Sequence, residues 1–294
     1  MGDGRTRSGG SRALVALAAV AFALVLVSPG SAAGSSRVAA LQIGLQAKGL
    51  YGQTIDGLWG PATERAVRRL QRRAGLAVDG IAGPATRRAL RRYGRPGLGS
   101  RLVRTGLVGW DVSRVQFLLA WHGFPSGTLD GAFGPRTAAA TIRFQRFARL
   151  GADGVVGSAT IAALKRPIPR SPIRLARPVS GPIGDRFGPR GNRFHTGLDF
   201  PVGYGTRVRA ARAGRVVRAG WDAGGYGNVV VVRHARRVRT WYTHLAGISV
   251  SRGQRVARGS RLGTVGATGF ATGPHLHWEV RLRGAAVNPL SALR

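Results

Sequence analysis

The chemistry-bearing residues of this 294-residue chain concentrate in two short stretches, His195-Thr-Gly-Leu-Asp199 and Pro274-His-Leu-His-Trp-Glu-Val280. Two histidines and a carboxylate can hold a divalent metal as three protein ligands and leave a fourth position for water or substrate. One carboxylate offsets only one of the ion's two charges, so the centre stays electrophilic enough to lower a bound water's pKa to about 7. His275 and His277 lie two apart in a run that reads as a strand, and residues two apart on a strand share a face. Both imidazoles can therefore point into one cleft, with Leu276 and Trp278 on the other side. His195 and Asp199 are four apart, but Gly197, Pro201 and Gly203 argue against a helix and for an extended segment with a bend. His244, in the strand-like run Trp241-Tyr-Thr-His-Leu245, is a further contributor.

The order HxxxD, then Tyr242-Thr-His-Leu245, then Gly273-Pro-His-Leu-His-Trp-Glu279 closely resembles the M23 metallopeptidases, the lysostaphin and LytM type of zinc endopeptidase that cuts peptidoglycan peptides. The resemblance runs from about 178 to 289 and includes Phe187-Gly-Pro-Arg190, Gly205-Thr-Arg-Val208 and Tyr226-Gly-Asn-Val229. It implies one Zn2+ per chain, with His195, Asp199 and His277 as ligands. It further implies that His275 and His244 orient the attacking water and steady the oxyanion.

The elements that must position these residues are short β runs between glycines: Thr206–Ala210, Arg215–Ala219, Asn228–Arg233, Val238–Tyr242 and Trp278–Leu282. No helical stretch of any length interrupts them, so residues 178–294 are expected to form an all-β, mainly antiparallel domain with the histidines along a groove. The turn at Arg233-His-Ala-Arg-Arg-Val-Arg-Thr240 lacks the glycine such a hairpin is expected to carry. His234 is read as structural, Glu279 as a hydrogen-bonding residue on the histidine face, and Asp185 and Asp222 as turn residues.

The middle of the chain is an internal repeat. Leu41-Gln-Ile-Gly-Leu45 aligns with Val115-Gln-Phe-Leu-Leu119 at an offset of 116 − 42 = 74, and the register holds without a gap. Asp56-Gly-Leu-Trp-Gly-Pro-Ala-Thr63 lies on Asp130-Gly-Ala-Phe-Gly-Pro-Arg-Thr137. Within each copy the box recurs after 79 − 56 = 23 residues, as Asp79-Gly-Ile-Ala-Gly-Pro-Ala-Thr86 and Asp153-Gly-Val-Val-Gly-Ser-Ala-Thr160. Asp-Gly makes a turn whose glycine takes positive φ; in three of the four boxes Gly-Pro then opens a helix, with proline at the first helical position. Each copy reads as three helices, an arrangement similar to the bacterial three-helix peptidoglycan-binding domain. The copies are placed at 37–93 and 109–165, with a linker at 94–108. A Pro-rich linker at 166–177 is expected to be extended and to space the modules from the β domain. Trp59 and Phe133, at equivalent positions, are expected in the cores, the box aspartates in turns, and His122 on the surface.

Composition limits the alternatives. There is no cysteine, which excludes disulfides, thiolate metal sites and thiol catalysis. Arg5, Arg7 and Arg12 precede an apolar run, Ala13 to Val27, and then small residues to Ala33; this is the layout of a secretory signal over residues 1–33, too short for a stable transmembrane span. The formal net charge is +35, nearly all arginine. Such a surface attracts polyanions, and for an exported protein these are anionic wall polymers; scattered arginines without a nucleic-acid module make nucleic acid an unexpected partner. The expectation is a secreted, wall-associated zinc endopeptidase that hydrolyses peptide bonds in peptidoglycan, of multidomain α + β fold. The competing reading is a non-catalytic peptidoglycan-binding adaptor or activator of another wall hydrolase.

Overall fold

In the computed structural model, which describes residues 34–293, the chain runs through six α-helices and then twelve short strands. The apolar run and the cleavage site expected at Ala33 lie outside the described residues. Among those described, no helix is long and apolar enough to cross a membrane.

The helices come in two sets of three: α1 (Ser36–Ala47), α2 (Pro61–Arg73) and α3 (Pro84–Ala89), then α4 (Trp110–Trp121), α5 (Pro135–Ala148) and α6 (Ser158–Leu164). One device, used four times, explains both the turns and the helix starts. A buried glutamine on the preceding helix reaches into each Asp-Gly box. In the second module Gln116 Nε2 donates to Asp130 Oδ1 (2.9 Å), the Ala132 carbonyl (3.0 Å) and Thr137 Oγ1 (3.3 Å), while its Oε1 accepts from Gly131 N (2.8 Å). Gln42, Gln71 and Gln145 make the same four bonds in their own boxes. Each box aspartate also accepts from the backbone N–H two residues on, which closes the turn. Each box glycine then sits at a φ between +73° and +76°, where a side chain would be strained.

Two expectations fail here. Phe133 is 1% exposed, but its counterpart Trp59 is 47% exposed. Residues 103–108 fold over Phe133, with Phe133 N donating to the Leu107 carbonyl (2.8 Å) and Gly106 N to the Phe133 carbonyl (3.0 Å); no comparable cover lies over Trp59 among the described residues. His122 is not on the surface but 4% exposed, packed edge-on against Phe144. Its Nε2–H donates to the Leu164 carbonyl at the end of α6 (3.0 Å).

The C-terminal part is antiparallel throughout its strand ladders. β1 (Gly188–Arg190) and β2 (Arg193–His195) form a hairpin of their own. β3 (Leu198–Phe200) follows, then β4 (Arg207–Arg209), β5 (Gly214–Asp222), β6 (Gly227–Arg233), β7 (Val238–Thr243), β8 (Leu245–Ile248), β9 (Arg255–Val256), β10 (Arg261–Val265), β11 (Leu276–Leu282) and β12 (Ala285–Val287). The main sheet runs β12-β11-β7-β6-β5-β9, with β3 also paired to β11, and β4-β10-β8 form a smaller sheet. Their facing sides enclose one core that includes Phe200, Val230, Tyr242, Leu262 and Trp278. The turn between β6 and β7 is made without glycine: Arg236 and Arg237 both sit at left-handed φ (+53° and +58°).

The helical modules are not held off by an extended spacer. Ile173 and Leu175 belong to the core of the β domain, and Ile43, Ile55, Phe117 and Trp121 of the modules share a buried cluster with Phe187, Phe194 and Ala286. The proline-rich stretch is short, and burial of this apolar surface outweighs the backbone stiffness that favours separation.

Replacing Gln116 by alanine leaves the buried Gly131 N–H and Thr137 Oγ1 without a partner and takes one bond each from Asp130 and the Ala132 carbonyl. We expect a loss of about 2–3 kcal/mol of stability, read by chemical denaturation; a change below about 0.5 kcal/mol would refute the structural importance of this device.

Candidate metal centre

The register of two strands brings the first pair of candidate ligands together. β3 pairs with β11 so that Asp199 lies directly opposite His277. On the same strand Leu276 and Trp278 are fully buried in the core, so the alternation turns His275 and His277 to the groove. His195, the last residue of the β1–β2 hairpin, completes the cluster after the bend at Thr196-Gly197. Gly197 is needed there, because a Cβ would meet the Trp278 carbonyl oxygen at 2.5 Å and His277 Cε1 at 2.9 Å.

Three donor atoms converge. His277 Nδ1 is 2.7 Å and His195 Nε2 3.1 Å from Asp199 Oδ1, and the two ring nitrogens are 2.9 Å apart. Each ring is fixed from behind. His195 Nδ1–H donates to the Arg186 carbonyl (2.8 Å), which leaves Nε2 to face the cluster. His277 Nε2–H donates to Glu279 Oε1 (3.1 Å), which leaves Nδ1 to face it. Two imidazole nitrogens and a carboxylate oxygen this close are three electron-pair donors, and a positive charge among them, a proton on a ring or a metal ion, relieves their repulsion. With ~2.1 Å bonds and a tetrahedral angle, donors around Zn2+ lie about 3.4 Å apart, a small expansion of the triangle seen. The donor set and spacing therefore fit a zinc-like ion.

Charge points the same way. Burial opposes ionisation of Asp199, but hydrogen bonds from His195 and His277 hold it well below the usual carboxylate range. Burial likewise opposes a charge on His277, yet Asp199 and Glu279 on either side outweigh it and push its pKa up to about 9. The two carboxylates thus demand a positive charge at this point.

Glu279 is completely buried and fully partnered. Thr196 Oγ1 and Tyr226 Oη donate to its Oε1, and Arg281 Nε donates to Oε2 at 2.6 Å. On the outer side, Arg190 bridges Asp199 Oδ2 (2.8 Å) and Asp185 Oδ2 (2.7 Å). Sequence reasoning named Glu279 but not Tyr226, Thr196, Arg281 or Arg190 as parts of the site. Thr196, Tyr226 and Arg190 stand inside the sequence motifs themselves, and that proximity is the signal the sequence offers.

The other two histidines face the same groove, a cleft of about 630 Å3 with Phe270 on its rim. Their ring centroids are 4.7 Å apart, and His244 lies 6.0 Å from His277. His244 Nδ1–H donates to the Thr268 carbonyl (2.8 Å) and His275 Nδ1–H to the Gly273 carbonyl (2.9 Å), so each has Nε2 free. Burial lowers the pKa of His244, keeping it neutral. His244 also sits at φ +59°, a strained conformation for a non-glycine residue, held by its N–H bond to the Tyr226 carbonyl. The fifth histidine of the β domain, His234, is remote from this cluster in its bonding. It joins the Ala213 carbonyl (2.9 Å) to Thr240 Oγ1 (2.8 Å).

Residues 193–289 match the sequence profile of Peptidase family M23. The chain carries an M23 peptidase domain over these residues. Residues 34–90 and 109–164 each match the profile described as "Putative peptidoglycan binding domain". Over 115 residues the chain is 46% identical to the DD-carboxypeptidase/endopeptidase Mpg of Neisseria meningitidis serogroup B, covering 38% of this chain and 26% of that protein. Over 111 residues it is 41% identical to the peptidoglycan DD-endopeptidase ShyA of Vibrio cholerae, covering 38% and 24%. The chain therefore spans only about a quarter of the length of these relatives. The solved catalytic domain of lysostaphin from Staphylococcus simulans is 33% identical over 37% of this chain and 90% of its own, with a TM-score of 0.36.

Glu279 is not among the three converging donors, yet it orients His277. Glu279→Gln should weaken Zn2+ binding by about 10- to 100-fold with all three donors still present. Competition against a chromogenic chelator measures this, and an unchanged affinity would contradict the role assigned to the hydrogen bond.

Proposed function

We propose that this protein is a zinc-dependent endopeptidase that hydrolyses peptide bonds in bacterial peptidoglycan, outside the cytoplasmic membrane, and that its two helical modules bind the same polymer. The observation that carries the reading is the groove in an M23 domain. Three donors converge at its base, and two further imidazoles face it with free Nε2 atoms. The two peptidoglycan-binding modules on the same chain, and the named activities of the Neisseria and Vibrio proteins, support peptidoglycan as the substrate class.

His195, Asp199 and His277 would hold the ion. Zn2+ in such a site supplies Lewis acidity that polarises a scissile carbonyl and lowers the pKa of an attacking water. The chain's own contribution is positional and protonic. His244 and His275 are fixed by their Nδ1–H bonds to backbone carbonyls, so each Nε2 points into the groove as acceptor or, once protonated, donor. One of the pair takes the proton of the attacking water, and the other stabilises the developing oxyanion. The proton then passes to the departing amine. A neutral base is required for the first step, and the burial of His244 favours that state. Arg190 and Glu279 keep Asp199 and His277 in place throughout. In the first module, exposed Leu58, Trp59 and Ile81 offer apolar surface to the wall polymer, and the arginine-rich exterior favours anionic wall polymers nearby.

The test is digestion of purified peptidoglycan followed by mass spectrometry of the fragments. The wild type should release new amino termini within cross-linked peptides, and chelation should abolish this. His275→Ala should retain Zn2+ and lose about 10²- to 10⁴-fold in rate, whereas His195→Ala should lose both the metal and the activity. Full lytic activity in His195→Ala would overturn the proposal.

A further inference from the structure

The β1–β2 hairpin carries His195 at its end and Arg190 at the end of its first strand, yet among the described residues it pairs with no other strand. A two-stranded hairpin is at best marginally stable alone in water. Something else must hold it, and the helical modules do.

The turn of this hairpin, Gly191-Asn192, is gripped by both modules. Ile55 N donates to the Gly191 carbonyl (2.9 Å), and Leu129 N donates to the Asn192 carbonyl (2.7 Å). These are equivalent positions of the repeat, since 129 − 55 = 74, so the two modules present the same backbone group to successive residues of one turn. Gly191 N returns a bond to Thr54 Oγ1 (3.2 Å). Behind the turn, Trp121 of α4 packs edge-on against Phe194 (5.3 Å between centroids) and Phe187 (6.3 Å), which pack edge-on against each other (5.0 Å). Phe194 is the residue before His195. The modules approach the β domain closely at a second point, where Ala286 N donates to the Gly123 carbonyl (3.1 Å).

We propose that the paired modules are a structural part of the catalytic groove: their junction clamps the β1–β2 hairpin and so positions His195 and Arg190. Trp121, Ile55 and Leu129 are on this view positioning residues, acting through the hairpin and touching neither ion nor substrate. The role for His195 rests on the metal reading above, but the clamp itself does not. One consequence is that binding and cutting are rigidly coupled, so cleavage falls at a fixed distance from the point where the modules hold the wall.

The experiment uses the full chain with Trp121→Ala, Trp121→Phe and Thr54→Val. Amide hydrogen exchange in the metal-free protein, Zn2+ affinity by chelator competition, and kcat and KM on a soluble cross-linked muropeptide are measured for each. For Trp121→Ala we expect at least tenfold faster exchange in residues 188–195 with β5 and β6 unchanged. Zn2+ should bind at least tenfold more weakly, and kcat should fall by more than KM changes. Trp121→Phe should remain close to wild type, because Trp121 Nε1 is buried without a partner and the indole contributes only its apolar face. Thr54→Val should move exchange and affinity the same way by a smaller factor, and it decides the matter if Trp121→Ala does not fold. Unchanged hairpin exchange and Zn2+ affinity in the folded variants would overturn the clamp. A wild type that neither binds Zn2+ nor cuts would refute the proposed function instead, and the exchange measurement on the metal-free protein would still decide the clamp.

Discussion

The pairing of β3 with β11 is the constraint on which the rest of this structure depends. With Asp199 set opposite His277, a carboxylate oxygen and an imidazole nitrogen meet at 2.7 Å. A slip of one residue would turn Asp199 to the core and Leu198 to the groove. The register is held by what lies on the other face: Leu198, Phe200, Leu276 and Trp278 are all fully buried. The hydrophobic core thus fixes the polar site, and the alternation of a strand transmits that order across the sheet.

Around this pair, each element supplies one restraint. The Arg186 carbonyl and Glu279 set which nitrogen of His195 and His277 faces inward. Glu279 is itself neutralised by Arg281, whose guanidinium also lies 4.4 Å from the centre of the Trp241 ring. A buried carboxylate without that arginine would carry a large desolvation cost, so the ion pair is what permits an acidic partner behind His277. The site is therefore two layers of charge, alternating outward, which preserves a demand for a cation at the centre.

Much of this was legible in the sequence, and the failures have physical reasons. The three-helix repeats follow from a 74-residue offset and from the Asp-Gly and Gly-Pro signals, which are local. The strand runs of the β domain follow from local composition, and the spacing of His275 and His277 gives their common face. What could not be read depends on partners far away in the chain. His122 aligns with Lys48 in the repeat, yet it is buried because the end of α6 offers a carbonyl that only its own module brings near. Trp59 and Phe133 share a box position, but among the described residues only Phe133 has a segment folded over it. The left-handed Arg236 and Arg237 replace the expected glycine because the β6–β7 pairing closes over them. The proline-rich segment predicted separation, and the aromatic contacts of Trp121 with Phe187 and Phe194 could not be inferred from either side alone.

The central claim is that His195, Asp199 and His277 meet at one ion. X-ray absorption at the zinc edge on the protein loaded with one equivalent of Zn2+ tests it most directly. The structure predicts two imidazole nitrogens and one carboxylate oxygen at about 2.0–2.2 Å, with a further light atom from solvent, and loss of one imidazole contribution in His277→Ala. A spectrum lacking paired imidazole scattering, or one unaltered by that substitution, would contradict it.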